Sequence, residues 1–216
     1  MNPQYLLVLA VVIVMGWFAY GVIYNLRRGD AVLKWLQGGL PRVGERTTFR
    51  WMGTSVAELV IARARPPFRR LETLLVFKPR DVFWMTILAA LQGRQDILLF
   101  RAHLGTPPLM DLELADPKTW TGRSALSHVA ARGWETAPYR DFQLMAPKGL
   151  LQLAASTLDR LERPMARLAP RYARFGLRKA EPNLEIHLPL PAYRTREAQE
   201  FIEALRDLAE AVTRRG

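Results

Sequence analysis

Histidine is the residue type through which this chain could perform acid/base or metal chemistry, and it occurs three times, at positions 103, 128 and 187. We find no H-E-x-x-H motif and no His, Asp or Glu partner for these residues at the spacing of a metal site. Ser124 and His128 are four residues apart, but no G-x-S-x-G elbow surrounds the serine. Cysteine is absent, which excludes thiolate metal sites and cysteine nucleophiles. The sequence therefore favours a non-enzymatic protein without metal or cofactor.

Phosphate-binding and carboxylate motifs are equally weak. Residues 39–44 copy the G-x-x-x-x-G spacing of a phosphate loop, but Glu45 stands where a lysine would neutralise the phosphate. A G-x-G-x-x-G motif is missing, so dinucleotide binding is not predicted. Asp111, Glu113 and Asp116 form an acidic cluster that could hold a divalent cation, although a solvated face is the simpler interpretation.

Basic residues are the one positive signal. The chain has 31 Lys and Arg against 20 Asp and Glu, a formal net charge of +11, which favours anionic partners such as phospholipid headgroups, nucleic acid or an acidic protein. We predict that nine arginines bind an anionic surface or lipid headgroups: Arg27, Arg28, Arg63, Arg65, Arg69, Arg70, Arg160, Arg163 and Arg167. The alternative is that they form solvated faces. Nucleic acid is the less favoured partner, because no recognition module is visible.

The elements that position these side chains begin with an uncharged segment. Residues 5–24 are 20 consecutive residues without a charge, Asn or Gln. As an α-helix they would be about 30 Å long, the thickness of the hydrocarbon core of a bilayer. A cleaved signal peptide is not favoured, because a basic n-region and a cleavage site are both missing. We predict a retained single-pass anchor (1–26), a juxtamembrane segment with a short helical pattern (27–46) and a globular domain (47–216).

Charge asymmetry predicts the orientation of this anchor. No basic residue precedes the apolar segment, whereas basic residues follow it at positions 27, 28, 34 and 42. Basic residues next to a span stay on the cytoplasmic side, so the N-terminus is predicted outside and the body in the cytoplasm. Aromatic residues near the far end of the segment mark the headgroup level, and Trp35 is predicted to lie on the headgroups.

The body is predicted to be a mainly antiparallel sheet with covering helices. Strand patterns occur at 47–52, 57–65, 71–78, 96–103 and 110–115, and short links suggest hairpins between neighbours. Asp81 is predicted to cap an apolar helix at 82–93 that is too short to span a membrane. This helix is either the buried central helix of the core, which we favour, or an in-plane element that dips into the bilayer.

The remaining residues give mixed signals. Residues 116–148 have no sustained period, and we predict a covering loop with one strand at 139–145. A helix at 149–162 is predicted to end near Arg163. A helical period of apolar residues and arginines continues to residue 178 and would suit a basic amphipathic helix, but Pro164 and Pro170 would each remove a backbone hydrogen bond. A hairpin at 172–179 and 184–190 follows. Thr195 is predicted to cap a last helix, whose apolar stripe packs on the sheet: Ala198, Phe201, Ile202, Leu205, Leu208, Ala209 and Val212.

The predicted architecture is therefore α+β, and three functions are compatible with it. The favoured hypothesis is a non-enzymatic binding or assembly module tethered at the membrane surface, with a protein partner as one option. The second is a membrane-bound enzyme that acts on a lipid or other anionic substrate with His103 or His187 as acid/base. It requires a pocket that joins a histidine to an arginine and a carboxylate. The third is a membrane-tethered nucleic-acid binder.

Overall fold

A computed structural model describes residues 3–44, 46–191, 193–194 and 196–214 and contains nine strands and five α-helices in those ranges. In chain order these are α1 (Pro3–Gln37), β1 (Thr47–Met52), β2 (Val56–Ile61), β3 (Phe68–Val76), α2 (Phe83–Leu91), β4 (Ile97–Leu104), β5 (Leu112–Ala115), α3 (Trp120–Ala130), β6 (Glu135–Tyr139), β7 (Phe142–Ala146), α4 (Leu151–Leu168), β8 (Arg174–Leu177), β9 (Leu184–Pro189) and α5 (Ala198–Thr213). A short 3₁₀ turn, Leu40–Arg42, follows α1. The α+β class predicted from the sequence is confirmed.

The nine strands form one antiparallel sheet, in the order β1-β2-β3-β4-β9-β8-β5-β7-β6. The first three strands form the predicted meander, although β2 ends at Ile61 rather than at residue 65. The prediction that β4 and β5 form a hairpin is wrong, because β9 pairs with β4 and β8 pairs with β5. The predicted C-terminal hairpin, β8 with β9, is confirmed, and it is inserted into the sheet between those two strands.

Side chains alternate between the two faces of the sheet, and the larger core lies on one of them. There α4, α5 and the C-terminal half of α1 pack with strand residues such as Leu98 and Phe100. The predicted apolar stripe of α5 is buried, which confirms that prediction. Its predicted cap, Thr195, lies outside the described residues. On the opposite face, α3 and Trp120 cover smaller apolar areas.

The least regular part of the sequence is better ordered than predicted. Residues 116–148 hold α3 and the hairpin of β6 and β7, not a covering loop with one strand. Thr119 caps α3, since its hydroxyl accepts a hydrogen bond from the backbone N–H of Gly122 at 3.1 Å. The glycines at 122 and 133, which indicated a loop, lie in the first turn of this helix and beyond its end.

The predicted break near Arg163 is also wrong, because α4 continues through Pro164 to Leu168. The apolar stripe of α4 is buried on both sides of the proline, with Leu161 before it and Met165 after it. Burying each such side chain contributes about 1.5–3 kcal/mol, which offsets the hydrogen bond that proline removes.

The apolar segment and the juxtamembrane helical pattern belong to one helix of 35 residues, α1. The prediction that Trp35 lies on the headgroups is wrong. Its indole Nε1 donates to the carbonyl of Arg196 at 2.6 Å, and its ring centroid is 5.2 Å from that of Phe201 in α5. Trp35 therefore joins the end of α1 to the core of the body.

Candidate membrane-facing site

The N-terminal half of α1 is uncovered. Residues 3–20 are all exposed, and the helix is long and apolar enough to span a membrane. A core helix of a soluble protein passes the same test of length and composition, but it is buried by its neighbours. Here the rest of the protein covers almost none of the most apolar stretch. The exposed half is an apolar cylinder about 26 Å long at 1.5 Å per residue.

α2 is a second exposed apolar element. No charged residue occurs between positions 82 and 92, yet of the helix only Ala89 is buried. Its large apolar side chains are between 43% and 81% exposed: Phe83, Trp84, Met85, Ile87, Leu88 and Leu91. The favoured prediction, a buried central helix, is therefore wrong. The core face of the sheet is already occupied by α4, α5 and α1, so α2 lies outside it.

The predicted cap of α2 is wrong as well. Val82 is the N-cap residue, and no side chain caps the helix. The carboxylate of Asp81 instead accepts a hydrogen bond from the hydroxyl of Thr54 at 2.7 Å. Asp81 thus joins the β1–β2 turn to the segment that leads into α2.

The two exposed helices meet and form one apolar surface. The rings of Trp17 in α1 and Phe83 in α2 lie edge to face, with centroids 5.0 Å apart. Between the helices is a cavity of about 610 Å³, and nearly all of its lining is apolar. Its walls are residues 13–15, 17 and 18 of α1, and residues 81–84, which lead into and begin α2. We call this combined area the apolar surface of α1 and α2.

Below the exposed half, α1 packs tightly against the body through one face. Gly21, Asn25 and Gly29 are spaced four residues apart, and all three are buried. A Cβ atom on Gly21 would lie 2.2 Å from the carbonyl oxygen of Arg80, and one on Gly29 would lie 2.5 Å from the ring of Trp51. Only glycine allows the helix to approach the body this closely.

Asn25 is the polar centre of this face and is fully buried. Its Nδ2 donates to the carbonyls of Lys78 at 3.1 Å and of Thr54 at 3.3 Å, while its Oδ1 accepts from Arg80 at 2.9 Å. One side chain of α1 is therefore hydrogen-bonded to both turns at this end of the sheet. Buried polar groups need such partners, because an unpaired one costs about 1–3 kcal/mol.

Asp96 completes the junction between α1 and the body. Both of its oxygens accept from the guanidinium of Arg80 at 3.0 Å, and Arg28 of α1 places its Nε 3.0 Å from Oδ2. The backbone N–H of Lys78 donates to the same carboxylate at 2.9 Å. The guanidinium of Arg80 also lies over the ring of Tyr24 at 5.0 Å. α1 is thus held to the body by ion pairs as well as by close packing.

Gly21→Ala is expected to lower the free energy of unfolding by about 1–3 kcal/mol, because the added methyl group meets backbone atoms. Gly16→Ala is the matched control: it is the same substitution in the same helix, but nothing lies within 4 Å of the new carbon. Chemical denaturation of the full chain in detergent micelles measures both. Equal stabilities for the two variants would contradict the close packing of α1.

The structure separates the nine predicted headgroup arginines. Arg27 and Arg28 lie at the foot of the exposed half of α1. The arginines at 63, 65, 69 and 70 lie at the end of β2 and the start of β3, whereas α2 follows the other end of β3. The eight steps from Phe68 to Val76 span about 26 Å. Arg69 and Arg70 are also paired with Glu181 and Glu72.

The remaining three predicted arginines, Arg160, Arg163 and Arg167, are exposed on α4. Arg167 forms an ion pair with Asp207 of α5. The structure thus does not bring the nine arginines to one surface. Binding of headgroups by each of them stays a prediction.

His187 lies in a buried charged network on the α3 side of the sheet. Its Nε2 is 2.7 Å from Oε1 of Glu185, which also accepts from Arg174 at 3.2 Å. The fully buried Glu113 forms ion pairs with Arg174 and with Arg178. Glu185 and His187 are two residues apart on one strand face, so the sequence does place a carboxylate partner beside this histidine, contrary to the prediction.

Burial lowers the pKa of His187, so the imidazole is neutral and donates from Nε2 to Glu185. Burial alone would raise the pKa of Glu185, but the hydrogen bond from His187 and the charge of Arg174 outweigh it and hold that pKa at about 2. The other two histidines are more exposed. His103 is 3.0 Å from Glu181, and His128 is 2.6 Å from the carbonyl of Ser124.

The charged network does not line any of the five prominent cavities among the described residues, and none of these cavities is lined by a histidine. In the described ranges, no group of three His, Asp or Glu side chains is placed to hold a metal ion. Asp111 and Asp116 of the predicted acidic cluster accept from the backbone N–H groups of Lys179 and Lys118 instead. The contacts of the network link β5, β8 and β9 to one another.

The apolar surface of α1 and α2, with the arginines at its foot, is the candidate functional site. Comparison of the chain with protein-family models and with curated protein sequences finds no match.

Proposed function

We propose that this is a single-pass membrane-anchored protein whose basic body is a non-enzymatic binding or assembly module at the membrane surface. The observation that carries the proposal is the continuous apolar surface of α1 and α2. An exposed apolar patch of more than a few hundred Å² is rare on soluble monomers and marks contact with a membrane or a partner. Its length along α1, about 26 Å, fits the hydrocarbon core of a bilayer.

α2 supports a membrane as the partner of this surface. The helix is uncharged, too short to span, and in contact with α1 near Trp17, beside the aromatic residues of the headgroup level. It therefore enters the same bilayer from the body side and lies in or near the interface. Because α1 and α2 both join the body through packed segments, the body is held in a fixed orientation below the headgroups.

Charge supports the cytoplasmic orientation of the body. The charged residues of α1 are Arg27, Arg28, Asp30 and Lys34, and all four follow its exposed half. Basic flanks stay on the cytoplasmic side. We therefore propose that the N-terminus lies outside and the body inside. None of the five prominent cavities among the described residues joins a histidine to an arginine and a carboxylate, so the enzyme hypothesis is not proposed. Nucleic-acid binding is supported by the net charge alone, and it is not proposed either.

Flotation of the full chain tests the anchor. The proposal predicts that the protein floats with phosphatidylcholine vesicles and stays with them after washing in alkaline carbonate, because the apolar surface and not charge holds it there. Release by carbonate, or a monodisperse soluble protein in buffer without detergent, would contradict the proposal. Trypsin added to sealed cells is expected to leave the body intact.

A further inference from the structure

A cavity of about 320 Å³ opens at the foot of the exposed half of α1. One wall is formed by the part of α1 from Tyr20 to Ala31, about three helical turns, and the other is residues 193 and 194, which follow β9. The fold thus brings Arg194 next to Arg27 and Arg28, although more than 160 positions separate them in the sequence. We call this cavity the basic cradle.

The basic cradle is strongly cationic. Three arginines line it and no acidic residue does, and the one carboxylate on α1, Asp30, is not part of the lining. Arg28 is committed to the protein, since it pairs with Asp96 and donates to the hydroxyl of Tyr24 at 3.2 Å. Arg27 and Arg194 are exposed, and neither forms an ion pair with a described residue. Their guanidinium groups are available to an outside anion.

The other lining residues fit the upper part of a lipid. Tyr20 and Tyr24 stand with ring centroids 6.1 Å apart, and Ile23 lies between them on the helix. This wall continues directly into the exposed apolar residues of α1, along which acyl chains would run. The phenol groups lie between the chains and the arginines, where amphipathic rings sit at a bilayer interface.

The depth of the basic cradle matches the phosphate layer. From Pro3 to Tyr24, α1 rises about 32 Å, close to the thickness of the hydrocarbon core. Arg27 is one helical turn further on, where lipid phosphates lie. Guanidinium groups bind phosphate through two parallel hydrogen bonds, and such charge-assisted bonds are about twice as strong as neutral ones.

We propose that the basic cradle binds the headgroup of an anionic phospholipid, with Arg27 and Arg194 clamping the phosphate and Tyr20, Ile23 and Tyr24 contacting the glycerol and the upper acyl chains. A zwitterionic headgroup is disfavoured, because its choline would add a positive charge beside three arginines. The inference rests on the proposed function, since the phosphate reaches this depth only if α1 lies in a bilayer.

The test uses the full chain in a zwitterionic detergent and measures the midpoint of thermal unfolding. Saturating phosphatidylglycerol is expected to raise the midpoint by about 5 °C, whereas phosphatidylcholine and inorganic phosphate leave it unchanged. Arg27→Ala/Arg194→Ala is expected to abolish the rise. Arg132→Ala/Arg171→Ala is expected to keep it, because it removes the same charge from two exposed arginines that are not among the nine predicted headgroup arginines and form no ion pair with a described residue.

Three results would overturn the inference: an unchanged rise in the Arg27/Arg194 variant, loss of the rise in the Arg132/Arg171 variant, or an equal rise with inorganic phosphate, which would identify a site for free anions. Midpoints of the variants without added lipid report on folding. Failure of the proposed function is distinguishable, because the wild-type chain would then not stay with phosphatidylcholine vesicles. If the wild-type chain stays with phosphatidylcholine vesicles but phosphatidylglycerol does not raise its unfolding midpoint, only the inference about the basic cradle is contradicted.

Discussion

Asp96→Ala is expected to lower the free energy of unfolding by about 3–5 kcal/mol, the largest effect of any single substitution proposed for this protein. The carboxylate is buried and is the shared acceptor of two guanidinium groups, one on α1 and one on the segment before α2. Removing it leaves Arg28 and Arg80 without their counter-charge, and it also leaves the backbone N–H of Lys78 unpaired. Destabilisation should therefore exceed that of a surface ion pair, which contributes about 0–1 kcal/mol.

Denaturation of the full chain in detergent, followed by tryptophan fluorescence, measures this effect. Asp30→Ala is the matched control, because it removes the same charge from an exposed position on α1. The loss of unfolding free energy in Asp96→Asn is expected to lie between the losses in these two variants, since the amide oxygen still accepts from the N–H of Lys78. If Asp96→Ala lowers the free energy of unfolding by less than about 1 kcal/mol, the ion pairs of Asp96 contribute no more than surface ion pairs do. This result would contradict the junction described above.

Acidification is expected to destabilise the protein through the buried charged network. The pKa of Glu185 is about 2 in the folded protein, below its ordinary value of 4.5. A lowered carboxyl pKa contributes stability that is complete above the unfolded value and is lost as the pH falls from about 4.5 to 2. The contribution of Glu185 is about 3 kcal/mol at 1.36 kcal/mol per pH unit.

His187 adds to this loss in the same direction. Because burial lowers its pKa below 6.5, folding favours the neutral imidazole, and protonation of the unfolded chain begins to compete as the pH falls through that value. Unfolding free energies measured between pH 7 and pH 3 should therefore fall continuously. The decrease below pH 4.5 should be smaller in Glu185→Gln, which cannot titrate. A wild-type stability that is flat from pH 6 to pH 3 would contradict the network.

The strongest periodic signals in the sequence were sufficient to predict their elements. The stripe of α5, the β8–β9 hairpin and the first meander are all found where period and turn residues predicted them. In each case the pattern reflects local chemistry, an apolar face every three to four residues or an alternation between strand faces. Such patterns depend little on what the rest of the chain does.

The two errors on α2 and α4 have a common cause. Composition cannot distinguish an apolar helix that packs in a core from one that faces lipid, because both lack charged residues. α2 lies outside the core because other helices already cover the core face of the sheet. For α4, the apolar period that continues past Pro164 was visible, but the local cost of the proline was judged greater than the burial of that stripe. Tertiary packing decided both outcomes.

The candidate site was predictable only in part. The uncharged run and the pair Arg27 and Arg28 were visible in the sequence, and so was the option that α2 dips into the bilayer. The approach of Arg194 depends on the path of the chain after β9, which no local pattern encodes. Gly21, Asn25 and Gly29 were a readable signal, since a repeat of small or amide residues every four positions marks a helix face in close contact.

The central claim, that α1 and α2 face lipid, is tested most directly by the accessibility of α2 in a bilayer. The chain has no cysteine, so single cysteines can be introduced at Leu88 in α2 and at Leu153 in α4, which are almost equally exposed in the protein alone, at 52% and 51%. The full-length variants are placed in lipid nanodiscs, whose two sides are both open to a membrane-impermeant maleimide. We predict that Leu153→Cys reacts as a free surface thiol and that Leu88→Cys is protected. Equal rates for the two cysteines would show that α2 lies in water and would contradict the account.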